Sequence, residues 1–132
     1  MIAVDTNILV RYLTNDDPEQ AKLAIDILKS PEQIWLPKTV LLETEWVLRA
    51  VYELKQGIIL KGLLQILGLP NVIPERAEEI ASALKYYQQG MDFADALHLA
   101  SSQVAEKFVT FDRRFVKAGK LAGMPVERLK NK

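Results

Sequence analysis

The sequence predicts an α/β protein: a three-layer α/β/α sandwich around a mainly parallel central sheet of four or five strands. Two observations predict it. Short β-prone runs alternate along the chain with longer segments of helical spacing. Those runs are continuously apolar rather than alternating, the pattern of strands covered on both faces by crossover helices. No internal repeat or low-complexity stretch interrupts the order. The 132 residues suffice for one domain with one core, residues 1–132.

The elements follow in sequence. Ile2 to Val4 reads as a first strand ending at Asp5. Ile8, Leu9, Tyr12 and Leu13 then recur with helical spacing. Asp17 is an N-cap with Pro18 at the first helical position, and Ala21, Leu23, Ala24, Ile27 and Leu28 continue as an amphipathic helix. Gln33 to Leu36 is a second strand stopped by Pro37. Thr39 is expected to cap a long helix from Val40 to about Leu54. Gly57 separates it from a helix over Ile58 to Leu67, which Gly68 and Pro70 end. Asn71 to Ile73 is a short third strand. Pro74 opens a helix to about Gln89, closed by Gly90, and Asp92 to Glu106 forms the next. Phe108 to Phe111 is a strand, Arg113 to Lys120 a helix, and Val126 to Leu129 a last strand.

Composition narrows the function. The chain is 49% hydrophobic and 26% charged, as folded globular domains are. It has no cysteine, which excludes disulfides, thiolate metal sites and cysteine nucleophiles and is compatible with a reducing cytoplasm. The start, MIAVDTNILV, has no basic leader, and its apolar run is too short for a signal peptide. The longest apolar stretch, Ile58 to Leu69, is broken by Lys61 and Gln65, so no membrane span is expected. Together these point to a cytoplasmic protein. Net charge is zero, but from Lys107 to Lys132 eight basic residues face only two acids, Asp112 and Glu127. Such a segment can form a phosphate-binding surface; on charge alone a solvated helix face explains it as simply.

Asp5, Glu43, Asp95 and Asp112 are the residues that carry chemistry. Each stands at the end of an apolar run or on the apolar face of a predicted helix. A carboxylate there is costly unless positive charge offsets it. Four acids with one histidine and no cysteine suit a hard divalent cation with oxygen ligands. In open parallel sheets the site lies at the carboxyl ends of the strands, where Asp5 and Asp112 fall. Each also has a plainer reading. Asp5, Asp92 and Asp112 can be N-caps, and Asp95 can be a first-turn acid favoured by the helix dipole. Thr6 and Asn7 can orient Asp5 or belong to the turn. Glu43 shares a helix face with Val40 and Val47, whereas Glu45 is expected to form an ordinary surface pair with Arg49 at i,i+4. His98 follows Asp95 by three residues and is read as a buried structural histidine.

Val4-Asp5-Thr6-Asn7-Ile8-Leu9, Leu41-Leu42-Glu43-Thr44-Glu45-Trp46-Val47-Leu48, Asp92-Phe93-Ala94-Asp95-Ala96-Leu97-His98-Leu99-Ala100 and Val109-Thr110-Phe111-Asp112 together resemble PIN-domain proteins. Their order, spacing and overall length are similar to those of VapC-type toxins from prokaryotic toxin–antitoxin pairs. The resemblance covers nearly the whole chain; from Lys55 to Gln89 it rests on helical character. It implies that Asp5, Glu43, Asp95 and Asp112 are the acidic quartet, with Asn7 and Thr110 supporting it and Asp92 in a capping role behind it. It implies a magnesium- or manganese-dependent endoribonuclease, a VapB-like antitoxin as partner, and a homodimer. Mg²⁺ keeps several waters and takes few carboxylates, so four acids suffice for one ion or a pair. Arg113, Arg114 and Lys117 are candidates to hold the RNA backbone. Trp46, Leu60, Leu63, Leu64 and Leu67 are candidates for a dimer or antitoxin surface, with core packing the plain alternative. Other readings are a non-catalytic RNA- or partner-binding module, a DNA-directed nuclease, or a phosphoacceptor or phosphatase domain. The last lacks the second Asp after Asp5 and has only Lys38 as a post-strand lysine.

Overall fold

The structure, a computed structural model, describes residues 1–130. Lys132, counted in the basic C-terminal quarter, lies outside them. The chain divides into two compact units, Met1–Ala77 and Glu78–Lys132.

The first unit holds β1 (Ile2–Ala3), α1 (Thr6–Thr14), α2 (Pro18–Leu28), β2 (Ile34–Leu36), α3 (Lys38–Ala50), α4 (Gln56–Leu67) and β3 (Val72–Pro74). Its strands pair in parallel in the order β1-β2-β3, with Ile34 opposite both Ile2 and Val72. Ile34 and Leu36 are fully buried, as continuously apolar strands require. α1 packs on α2 and α3. Asp17 caps α2 by accepting from Gln20 N at 3.1 Å, with Pro18 at the first turn as expected. The Asn71 side-chain amide donates to the carbonyls of Leu28, Ser30 and Glu32 at 2.9–3.0 Å, pinning the α2–β2 connection to the start of β3.

The second unit holds α5 (Ala77–Gln88) from its second residue on, α6 (Phe93–Ala100), β4 (Phe108–Thr110), α7 (Arg113–Leu121) and β5 (Val126–Arg128). β4 and β5 also pair in parallel. Its core joins Tyr87 and Phe93 edge-on, ring centroids 5.0 Å apart, and stacks Phe108 on Phe115 at 4.6 Å. Gly119 lets α7 approach β5 closely, because a Cβ there would collide with the Val126 side chain.

The class is as predicted, α/β with parallel strands; several details differ. The expected single sheet of four or five strands is instead a three-stranded and a two-stranded ladder. α3 starts at Lys38 behind Pro37, with no side-chain cap from Thr39. It ends at Ala50 rather than Leu54, because Glu53 turns left-handed (φ 55°) and Leu54 N donates back to Leu48 O at 3.1 Å. Pro74 closes β3 instead of opening α5, and Arg76 (φ 54°) separates the two. α6 stops at Ala100, well short of Glu106; Ser102 Oγ donates to the His98 carbonyl at 2.7 Å, and turns follow. No helix among the described residues is long and apolar enough to cross a membrane.

Candidate active site

Two of the four acids lie in each unit. In the first, the chain leaves β1 and turns into α1, so Asp5 occupies the N-cap and its Oδ1 accepts from Thr6 N at 2.7 Å. The same Thr6 is buried, and its hydroxyl donates to Glu43 Oε1 on α3 at 2.5 Å. One threonine therefore ties two acids together, one through its amide and one through its hydroxyl. Asp5 and Glu43 are themselves exposed, each with its second carboxylate oxygen bonded to no protein group among the described residues. Asn7 is exposed in the first turn of α1 and makes no side-chain hydrogen bond to Asp5. The sequence ties Thr6 only to Asp5, as a residue that orients it or belongs to the turn. Its bond to Glu43, 37 positions away, has no signal in local spacing.

Glu45 requires a correction. It is buried, at 1% side-chain exposure, and bound by Arg49 Nε at 2.9 Å; it is no surface glutamate. The buried face of α3 is Leu41, Thr44, Glu45 and Leu48, so Glu43 lies off the core face rather than on it beside Val40 and Val47. Thr44 is accommodated because its hydroxyl returns to the Val40 carbonyl at 2.7 Å. Two polar residues on the inner face are what misdirected the apolar pattern.

In the second unit, Asp92 caps α6, its Oδ2 accepting from Asp95 N at 3.3 Å, and Asp95 sits in the first turn. Asp112 caps α7, accepting from Arg114 N at 2.8 Å, while its own N–H donates to Thr110 Oγ1 at 3.0 Å. Thr110 thus fixes the backbone that presents Asp112. Asp95 is partly buried, and its pKa is raised: burial is the largest cause, the charge of Asp92 adds to it, His98 opposes it and Asp112 adds a smaller push. Asp92 and Asp112 are therefore near enough to disfavour the ionisation of Asp95. His98 is exposed, contrary to its expected burial, and acts on Asp95 by charge. Arg113, Arg114 and Lys117 are all exposed on α7.

Except at Asp95, the premise that burial makes these acids costly does not hold; Asp5, Glu43 and Asp112 meet solvent. What sets them apart is placement at helix starts with carboxylate oxygens to spare. That donor set suits a hard cation: oxygen ligands only, exchangeable with water, and in the second unit a carboxylate crowded by two others. Within neither unit do three or more acidic or histidine side chains among the described residues gather tightly enough to hold an ion unaided. Water and substrate oxygens would complete the coordination, as Mg²⁺ prefers.

An α/β protein with parallel strands and carboxylates presented where those strands give way to helices belongs to a class built for chemistry at strand ends. The PIN domain family matches residues 2–121, and the chain belongs to that family. PIN domains are generally nucleases and generally use divalent metals. No curated protein matches the chain closely enough to stand as a relative.

Proposed function

We propose that residues 1–132 form one Mg²⁺- or Mn²⁺-dependent endoribonuclease domain of the VapC toxin type. The observation that carries this is the PIN family match over residues 2–121 together with Asp5 and Asp112 presented where strands give way to helices. Asp5, Asp95 and Asp112 would hold the cation, with Glu43 a further ligand or the residue that positions water. The bound cation supplies a more acidic water, a polarised phosphate and relief of the carboxylates' repulsion.

The chain's own residues do the rest. Thr6 engages Glu43 Oε1 and leaves Oε2 to accept a hydrogen bond from the attacking water. Thr110 and the α7 amides hold Asp112 in a fixed pose. The cations of α7 draw in the RNA backbone. Water oxygen bonds to phosphorus in line with the departing 3′ oxygen, which takes up a proton. The ends produced are a 5′-phosphate and a 3′-hydroxyl. End-group analysis of the cleaved RNA tests this: a 2′,3′-cyclic phosphate would mean attack by the ribose 2′-hydroxyl and would overturn the reading.

A VapB-like antitoxin and a second copy of the chain are the proposed partners, acting in the cytoplasm. Supporting this, Trp46, Val51, Ile58 and Leu64 in the first unit are each more than half exposed and are available to a partner. Among the residues expected there, Leu63 is fully buried and belongs to the core, while Leu60 and Leu67 are partly exposed.

A further inference from the structure

α7 is amphipathic: Phe115 and Gly119 face the core, while Arg114, Lys117 and Leu121 recur at three- and four-residue spacing on the other side. Beneath that side lies a cavity of about 150 Å³ within the second unit. Tyr86 and Met91, both buried, contribute from the end of α5 and the turn after it; Arg114, Lys117, Ala118 and Leu121 contribute from α7. Gly90 makes that turn possible by adopting φ 103°. Arg114 and Lys117 are cations, and no carboxylate lines the cavity. Neither side chain enters an ion pair or hydrogen bond among the described residues. With Gln89 as its remaining polar side chain, the lining suits an anion that carries a largely apolar group.

Size restricts that group. A cavity near 150 Å³ admits one six-membered aromatic ring, well below the roughly 300–1,000 Å³ of a pocket for a whole small-molecule ligand. In a nuclease, the ring with an attached anion is a nucleotide of the substrate, and of the bases the smaller ones fit best. The base must be unpaired, because a paired base cannot leave its stack to enter a side pocket. Asp112 caps the same helix, and Lys117 follows it by five residues, about 7.5 Å along the axis, a distance of the order of a nucleotide repeat.

We propose that the α5–α7 cavity is a nucleotide subsite taking one unpaired pyrimidine of an RNA strand, its base against Tyr86 and Met91 and its phosphate between Arg114 and Lys117. This rests on the nuclease reading and gives it a substrate preference. The test is binding of labelled oligouridylate and oligoadenylate of equal length to the full chain in EDTA, across a salt series. The wild type is expected to favour oligouridylate. Arg114→Gln with Lys117→Gln, both on the surface, should weaken binding about tenfold and flatten the logarithmic salt slope by about 1–2. Ala118→Leu, which fills the cavity, should abolish the uridylate preference and leave the slope unchanged. Equal binding of the two RNAs by the wild type, or an unaltered slope in the double variant, would overturn the subsite. So would displacement of RNA by an acidic oligopeptide at matched concentration, which would assign the cavity to a protein partner. Binding in chelator does not depend on hydrolysis: this pattern without cleavage would sink the nuclease reading alone, and cleavage without this pattern would sink the subsite alone.

Discussion

Thr6 is the residue on which the geometry of the first pair of acids depends. Its hydroxyl has one proton, and that proton is committed to Glu43. Thr6→Val should leave the fold intact and lower kcat about tenfold with little change in KM, while Thr6→Ser restores most of the rate; an exposed acceptor discounts the roughly 1.5–3 kcal/mol of a buried charged bond. Steady-state kinetics of the two variants check this. Asp95 offers a measurement of stability. Its folded pKa lies above the ordinary value, chiefly through burial and next through Asp92. The folded state thus binds this proton more tightly than the unfolded chain does. The associated stability is complete below the ordinary aspartate range and is lost as pH rises through the raised value. Asp95→Asn should therefore raise Tm near neutral pH and leave it unchanged in strong acid, as followed by thermal melts across pH. Asp5 and Asp112 were legible in the sequence because each stands where an apolar run gives way to a helix, and Asp92 because it opens one. Thr6 was not, because its partner is brought to it only by packing of α1 against α3.

At the scale of elements, α3 shows how a sequence pattern misleads. A helix face is inferred from where apolar residues recur, and Val40 and Val47 define one such stripe around Glu43. The face that packs inward is Leu41, Thr44, Glu45 and Leu48. Its two polar members satisfy themselves, Thr44 on the helix backbone and Glu45 through Arg49, so they tolerate burial without announcing it. Arg49→Ala, which leaves the Glu45 carboxylate buried with one fewer donor, should cost about 1–3 kcal/mol by urea denaturation. A change within a few tenths would mean the pair is ornamental. Glu43 nonetheless stands in the candidate site, for a reason other than the one its pattern suggested: its exposure leaves an oxygen available, and Thr6 sets its pose. The caps at Asp5, Asp17, Asp92 and Asp112 were all readable, since an N-cap is a one-residue signal with a local partner.

For the whole molecule, the order of strands and helices was readable because helical and strand periodicities differ. The ladder count was not: strands of two or three residues carry too little pattern to specify which neighbour each will pair with. The apolar surface of the first unit bears on assembly. If a second copy covers it, Leu64→Glu should shift the mass measured by light scattering from dimer to monomer without loss of helical signal; an unchanged mass would remove that surface from the dimer. Whether these acids form a metal-dependent ribonuclease is decided by cleavage of total cellular RNA by the purified chain with Mg²⁺, with Mn²⁺ and with EDTA, beside Asp95→Asn. Discrete products that require metal and vanish in the variant are the predicted result. Products that persist in EDTA or in Asp95→Asn, or no cleavage of any RNA with either metal, would contradict a metal-dependent ribonuclease built on these acids.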